Sequence, residues 1–198
     1  MPALDSSGLA LGPTTVSLLV DACGQYHRRV LIRCTAKLLR AIGTPTASLV
    51  DAPPSDKDWY ANLLWFSGRK CVLLTHAGTL FSVFVPEVPV VDLRPFGGFV
   101  VPVIEASVRS EGLSVNIFGP LDPDGVGVAK TANRSVLGCM NDLALHCEYA
   151  IDDAGGLDLL DVEELNRGLR RTILGPLGGA YPIEAAGGYH SRALTPSA

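Results

Sequence analysis

Three apolar segments between residues 60 and 85 constrain the fold more than any other feature of this sequence. They are Tyr60–Phe66, Lys70–Thr75 and Thr79–Val85, and the short links between them contain Gly68 and Gly78. Apolar runs of this length that are joined by short glycine-containing links are typical of β-hairpins. We therefore expect a three-stranded antiparallel meander.

The segments on either side of the meander predict further strands and helices. Val30–Cys34 predicts a strand, and Ala36–Ile42 predicts a short helix that ends at Gly43. After the meander we expect a helix, two short strands and a longer helix, at Val100–Glu111, Val115–Phe118, Val126–Lys130 and Ser135–Ile151. Strands followed by helices favour an α+β fold, with the meander and the additional short strands packed against three to four helices.

The spacing of apolar residues predicts the buried faces of the last two helices. In Ser135–Ile151 these residues are Val136, Met140, Leu143, Cys147 and Ala150. In the last helix Asp161 can act as the N-cap, with Glu164 completing a capping box. We expect its buried face to consist of Val162, Leu165, Leu169 and Ile173, with Arg167, Arg170 and Arg171 pointing elsewhere.

The 198 residues are close to the size of one domain, and 47% of them are hydrophobic. We expect a single domain at 30–184, a partly flexible N-terminal extension at 1–29 and a disordered tail at 185–198. No apolar run reaches the roughly 18 residues that a bilayer span needs. Asp5 precedes the apolar segment Thr14–Val20 and no Lys or Arg occurs before Arg28, which disfavours a signal peptide. The sequence therefore predicts a cytoplasmic protein without membrane contacts.

The cysteines and histidines do not form a metal-binding pattern. Five cysteines, namely Cys23, Cys34, Cys71, Cys139 and Cys147, are scattered and form no CxxC pair. We expect them to be buried, reduced thiols, and we expect no metal and no cofactor. His76 lies in the link before the third meander strand, where we expect it to be exposed and without a role.

Charge is unevenly distributed along the chain, whose net charge is −4. Residues 22–50 contain five basic residues and no acidic ones, whereas residues 135–166 contain eight acidic residues and no Lys or Arg. Either the two blocks face each other in the fold, or the basic block is a patch that binds anions.

The start of the long helix is a candidate anion-binding site. Lys130, Asn133, Arg134 and Ser135 lie at this start, where free backbone N–H groups and the helix dipole favour a phosphate or a carboxylate. Arg33 and Lys37 could add positive charge. In the simpler interpretation, Asn133 or Ser135 is only the helix N-cap.

Asp142 and His146 share a face of the same helix, because they are four residues apart. Such a pair could act as a general base, but a surface salt bridge is the more common arrangement. Ser135 is about 16 Å of helix away from His146, which excludes a catalytic triad.

Five blocks of the sequence together resemble a family of small bacterial proteins that is known only as a domain of unknown function. The blocks are Ile32–Leu39, Asp58–Leu64, Arg69–Thr75, Asn133–Leu143 and Tyr181–Ile183. The resemblance extends from about Val30 to Glu184, which implies that residues 1–29 are an addition to the usual start of the family. It implies a domain boundary and no particular activity.

Two functions remain open from the sequence. The first is a binding or regulatory module that recognises a protein or a nucleic acid. The second is an enzyme that acts on a phosphorylated substrate such as a nucleotide or RNA, with phosphate held at Lys130–Ser135 and a proton moved by Asp142 or His146. The enzyme hypothesis requires one concave pocket that collects Arg33, Lys37, Asn133, Arg134 and Asp142.

Overall fold

The computed structural model describes residues 30–189. In chain order its strands are β1 (Leu31–Cys34), β2 (Trp59–Phe66), β3 (Arg69–His76), β4 (Ser82–Val85) and β5 (Gly127–Lys130). Its helices are α1 (Ala36–Ile42), α2 (Phe96–Ser110), α3 (Arg134–Ala154), α4 (Val162–Leu169) and α5 (Pro182–Gly187). The predicted extension at 1–29 lies outside the described residues.

The strands form one mixed sheet in the order β4-β3-β2-β1-β5. The β2–β3 and β3–β4 pairs are antiparallel, which confirms the predicted meander. By contrast, β1 pairs in parallel with both β2 and β5. Parallel neighbours need a crossover connection, and α1 lies within the connection from β1 to β2. With this sheet and the five α-helices of residues 30–189, the protein has the expected α+β fold.

Helices cover both faces of the sheet, and successive side chains of β2, β3 and β4 alternate between two cores. Trp59, Ala61 and Leu63 of β2 belong to the core that includes residues of α1 and α2. Tyr60 belongs to the core that includes residues of α3 and α4. The near-continuous burial of β3 follows from this arrangement, since a strand covered on both faces has no solvent side.

Local capping defines the helix bounds. Gly43 ends α1 in the left-handed conformation, with φ of 71°, as the sequence predicted. At α4 the Asp161 carboxylate accepts a hydrogen bond from the Glu164 backbone N–H at 2.9 Å. The Glu164 carboxylate pairs with Arg167 at 2.6 Å, so only the Asp161 half of the capping box is formed.

Two of the predicted elements differ in the structure. Residues 115–118 form turns rather than a strand, with hydrogen bonds from Ile117 N to Ser114 O and from Gly119 N to Asn116 O. The apolar pattern there reflects burial of Ile117 and Phe118 in the core, not strand pairing. The helix predicted from Val100 begins earlier, at Phe96.

The predicted buried face of α4 is wrong at its C-terminal end. Ile173 is 63% exposed, whereas Arg170 is only 2% exposed. The helix ends at Leu169, so the helical phase does not continue to Ile173. Arg170 lies over the Phe81 ring at 4.8 Å and pairs with Glu111 at 2.7 Å, which compensates its buried charge.

The predicted disordered tail is wrong for its first residues. Helix α5 continues to Gly187, and Ala186 is completely buried. Tyr189 packs against the His76 ring with centroids 4.9 Å apart. The alanines and glycines of this segment hid its structure, because they form a helix turn without a visible apolar period. Residues 190–198 lie outside the described part of the chain.

Candidate interaction surface

The start of α3 is capped by its own side chain. Asn133 Oδ1 accepts hydrogen bonds from the backbone N–H groups of Ser135 at 2.9 Å and Val136 at 3.3 Å. The backbone N–H of Asn133 itself donates to the Tyr60 hydroxyl at 3.1 Å. The predicted capping role is therefore confirmed. An anion at this site would have to displace the Asn133 side chain, although Lys130, Arg134 and Ser135 are exposed beside it.

Arg33 is buried, and its hydrogen bonds stay within the protein. Its guanidinium donates to the Asp58 carboxylate at 2.5 Å and to the backbone carbonyls of Lys130, Ala52 and Pro53 at 3.2, 2.9 and 2.7 Å. These contacts tie the loop before β2 to β1 and to the end of β5. The side chain thus stabilises the fold and offers little to a ligand. Lys37 is exposed on α1, in the layer opposite to α3.

Two open depressions adjoin α3. The first, about 350 Å³, lies between α3 and α4. The second, about 460 Å³, lies between α3 and the C-terminal end of β2. Neither depression is lined by the predicted anion-binding residues, which are Lys130, Asn133, Arg134, Ser135, Arg33 and Lys37. These residues therefore do not converge on either of these depressions.

Large apolar side chains are exposed on and beside α3. Leu145 is 44% exposed and Tyr149 is 58% exposed, and they lie on one face because they are four residues apart. Trp65, at the end of β2, is 54% exposed and lines the same depression as Leu145. Tyr149 lines the other depression. We call Trp65, Leu145 and Tyr149, with the two depressions that they line, the α3 face.

This surface was not predicted from the sequence. The sequence does contain a pattern that indicates this surface, because Leu145 and Tyr149 are large apolar residues outside the core stripe of α3. The buried residues of the helix are Val136, Cys139, Met140, Leu143, Cys147 and Ile151. An exposed leucine and tyrosine one turn apart require an explanation other than core packing.

Asp142 and His146 do not form the predicted ion pair. Within residues 30–189 no salt bridge joins them, and both are exposed. Asp142 lines the depression beside Trp65, whereas His146 lines the depression beside α4. The two residues share a face of α3, as their four-residue spacing predicts, but their side chains form no ion pair with each other.

The prediction for His76 is wrong. His76 is the last residue of β3 and is fully buried beside the rings of Trp59 and Phe118, whose centroids lie 5.3 and 4.4 Å away. Its Nδ1 atom hydrogen-bonds with the Thr79 hydroxyl at 3.1 Å. Burial lowers the pKa of His76 from 6.5 to about 3, so the ring is neutral at pH 7. Its position on β3 places it on the core face shared with Val72 and Leu74.

The described cysteines are free and buried, as predicted. They are Cys34, Cys71, Cys139 and Cys147, whereas Cys23 lies outside the described residues. Burial raises the pKa of Cys71 to about 11 and that of Cys147 to about 12, which makes both thiols poor nucleophiles. In the same part of the chain, no group of three or more His, Cys, Asp and Glu side chains is placed to hold a metal ion.

None of the helices within residues 30–189 has both the length and the apolar character that crossing a membrane requires.

The two charge blocks of the sequence, residues 22–50 and 135–166, do not pair with each other within residues 30–189. Arg33 binds Asp58, Asp158 binds Arg69, and Glu163 and Glu164 bind Arg167. The acidic surface of α3 is therefore not covered by the basic block among these residues.

These features define an α+β protein with helices on both faces of a mixed sheet and an apolar, acidic helix surface. The chain belongs to the family described as a domain of unknown function (DUF6933), whose model matches residues 31–185. The match confirms the resemblance to a family known only as a domain of unknown function. Comparisons with curated proteins and with solved structures gave no match.

Proposed function

We propose that this protein is a bacterial, cytoplasmic binding module that recognises a partner protein through the α3 face. The observation that carries the proposal is the exposure of Trp65, Leu145 and Tyr149 around two open depressions. Trp and Tyr are enriched among the residues that dominate binding energy at protein interfaces. Large exposed apolar patches often mark the sites at which proteins bind their partners.

The outer edge of β4 favours a helix surface over strand addition as the binding mode. The Asn166 side-chain amide bonds both to the N–H of Phe84 at 2.6 Å and to its carbonyl at 2.9 Å. Arg170 Nε donates to the Ser82 carbonyl at 3.2 Å. At the opposite edge, Val50 N donates to the Val128 carbonyl of β5 at 2.8 Å. A partner strand would have to displace these groups before it could pair.

The charge of the surface favours a protein over a nucleic acid. The carboxylates that α3 exposes pair with no basic residue within residues 30–189, which disfavours phosphate groups at this surface. The enzyme hypothesis receives less support from the geometry. Arg33 already donates hydrogen bonds to Asp58 and to backbone carbonyl groups. The Asn133 side chain already accepts hydrogen bonds from the N–H groups that would hold a phosphate.

The cysteines support a cytoplasmic location. The four described thiols are buried and unpaired, which suits a reducing compartment. A bacterial origin is favoured because the five sequence blocks resemble a family of small bacterial proteins.

Affinity purification from the native cells tests the proposed function. The wild-type protein is compared with Leu145→Glu/Tyr149→Glu, and Val91→Glu is the matched control because Val91 is 72% exposed on the loop before α2. We expect at least one protein to copurify with the wild type and with Val91→Glu, and to be lost from the double variant. Equal recovery with all three proteins would show that the α3 face is not the binding surface.

A further inference from the structure

The α3 face exposes carboxylates beside its apolar side chains, and the inference drawn from this charge rests on the proposed function. α3 exposes four carboxylates, Asp142, Glu148, Asp152 and Asp153. Within residues 30–189 none of the four takes part in a salt bridge. The neighbouring acidic residues differ, since Asp158 is paired with Arg69 at 2.5 Å and Glu164 with Arg167 at 2.6 Å.

The positions of these carboxylates are unfavourable for an isolated helix. Glu148 and Asp152 are four residues apart, so their like charges repel along one face. Asp152 and Asp153 lie in the last turn of α3, where the helix dipole disfavours negative charge, and this turn contains no basic residue. A cation brought by a partner would relieve both effects.

The carboxylates border the apolar depressions directly. Asp142 and Glu148 line the depression that contains Trp65 and Leu145, where Lys70 Nζ also lies over the Trp65 ring, 4.5 Å from its centroid. Asp153 lines the depression that contains Tyr149. Each depression thus combines apolar side chains with carboxylates, so a complementary partner carries apolar and cationic side chains close together.

The backbone of α3 favours a helical partner over an extended one. The hydrogen bonds of a helix interior are internal, so the middle of α3 offers no main-chain groups to an extended peptide. A helix satisfies its own backbone and can bind through side chains alone. We propose that the α3 face binds a basic amphipathic helix of a partner protein, whose apolar side chains enter the two depressions while its Lys or Arg side chains contact the α3 carboxylates.

Three synthetic helical peptides test this inference. All carry leucine at amphipathic helical spacing, and their other positions are lysine, glutamine or glutamate. Binding to the full-length protein is measured by fluorescence anisotropy, and the binding site is mapped by NMR shifts of backbone amides. We expect the lysine peptide to bind about tenfold more tightly than the glutamine peptide, because several partly exposed charge pairs together contribute such a factor. We expect its affinity to fall as salt is raised.

Charge reversal provides the matched comparison. Glu148→Lys/Asp152→Lys should weaken binding of the lysine peptide about tenfold. Asp51→Lys, which reverses an exposed carboxylate beside the β5 edge, should leave the affinity unchanged. Equal binding of the three peptides, shifts that map away from α3, or equal effects of the two variants would overturn the inference. So would self-association through this face that is abolished by Tyr149→Glu.

The outcomes separate this inference from the proposed function. If the lysine peptide fails while a copurifying protein is still lost from Leu145→Glu/Tyr149→Glu, the partner chemistry is wrong and the binding function stands. If copurification is independent of the α3 face, the proposed function itself fails.

Discussion

The side-chain amide of Asn166 is paired with the backbone of Phe84 through two hydrogen bonds, of 2.6 and 2.9 Å. An amide oxygen and nitrogen in this arrangement satisfy the same groups that a neighbouring strand would satisfy. Asn166 therefore closes the β4 edge and links α4 to the sheet. Because Asn166 already occupies the β4 edge, a partner can bind more readily at the helix surfaces than at this edge.

Asn166→Leu should destabilise the protein substantially. The substitution keeps the number and branching of the side-chain heavy atoms but leaves the buried N–H and carbonyl of Phe84 without partners, at a cost of about 1–3 kcal/mol for each group. Urea unfolding measures the change in free energy of unfolding. Asn116→Leu is the control, because Asn116 is exposed, and its effect should stay within about 0.5 kcal/mol. Similar effects of the two substitutions would contradict the role of Asn166.

Gly97 and Gly98 form a second matched pair at the start of α2. A Cβ atom on Gly97 would collide with the backbone oxygen of Pro123, whereas one on Gly98 would only touch Pro95 at 3.5 Å. Gly97→Ala should therefore cost about 1–3 kcal/mol of stability. Gly98→Ala should be neutral or stabilise the helix by up to about 1 kcal/mol. Thermal unfolding distinguishes the two, and equal midpoints would show that α2 does not pack against Pro123 as described.

His76 should make stability depend on pH below neutrality. Its pKa is about 3 in the folded protein and 6.5 as the ordinary value, so between these values the unfolded state binds the additional proton. The stability that neutral His76 supports is therefore complete above pH 6.5 and is lost as the pH falls towards 3. The loss is about 1.4 kcal/mol per pH unit well inside this window.

His76→Phe removes this titration while keeping a ring in the aromatic cluster. Urea unfolding of the wild type and the variant between pH 7 and pH 4 compares the two slopes. The wild type should lose stability more steeply than His76→Phe as the pH falls. Parallel curves would show that His76 is protonated equally in the folded and unfolded states.

Nucleotides and short RNA should leave the thermal stability of the protein unchanged. We expect this result because the side chains of Arg33 and Asn133 already form hydrogen bonds within the protein. A ligand at 100 times its dissociation constant would stabilise the fold by about 2.7 kcal/mol, which a thermal-shift measurement detects. A shift that disappears in Arg134→Ala would support the phosphate-binding enzyme instead.

The sequence predicted those parts of the fold that local patterns specify. The meander followed from the glycine-containing links at Gly68 and Gly78, and the start of α3 followed from the capping residue Asn133. The parallel placement of β1 between β2 and β5 was not predicted, because pairing between strands distant in sequence leaves no short-range signal. The ordered segment at Ala185–Tyr189 was missed for a similar reason, since its burial depends on contacts with distant residues.

Charged and polar residues were the least predictable. Arg33 and Arg170 look like surface residues in the sequence, yet each is buried against a carboxylate, Asp58 and Glu111 respectively. Their burial depends on tertiary pairing, which composition does not reveal. The candidate anion site was predicted from the helix start at Lys130–Ser135 and from the charges of Arg33 and Lys37. The α3 face was identified only when the burial of each α3 residue was known.

Photo-crosslinking in the native cells tests the central claim most directly. A benzophenone amino acid replaces Trp65, Leu145 or Tyr149 in turn, and Val91 serves as the exposed control position. The account predicts that the three α3-face positions crosslink to the same partner protein, whereas the Val91 position does not. Absence of a protein crosslink at all three positions, or an equal crosslink from Val91, would contradict the assignment of this surface as a protein-binding site.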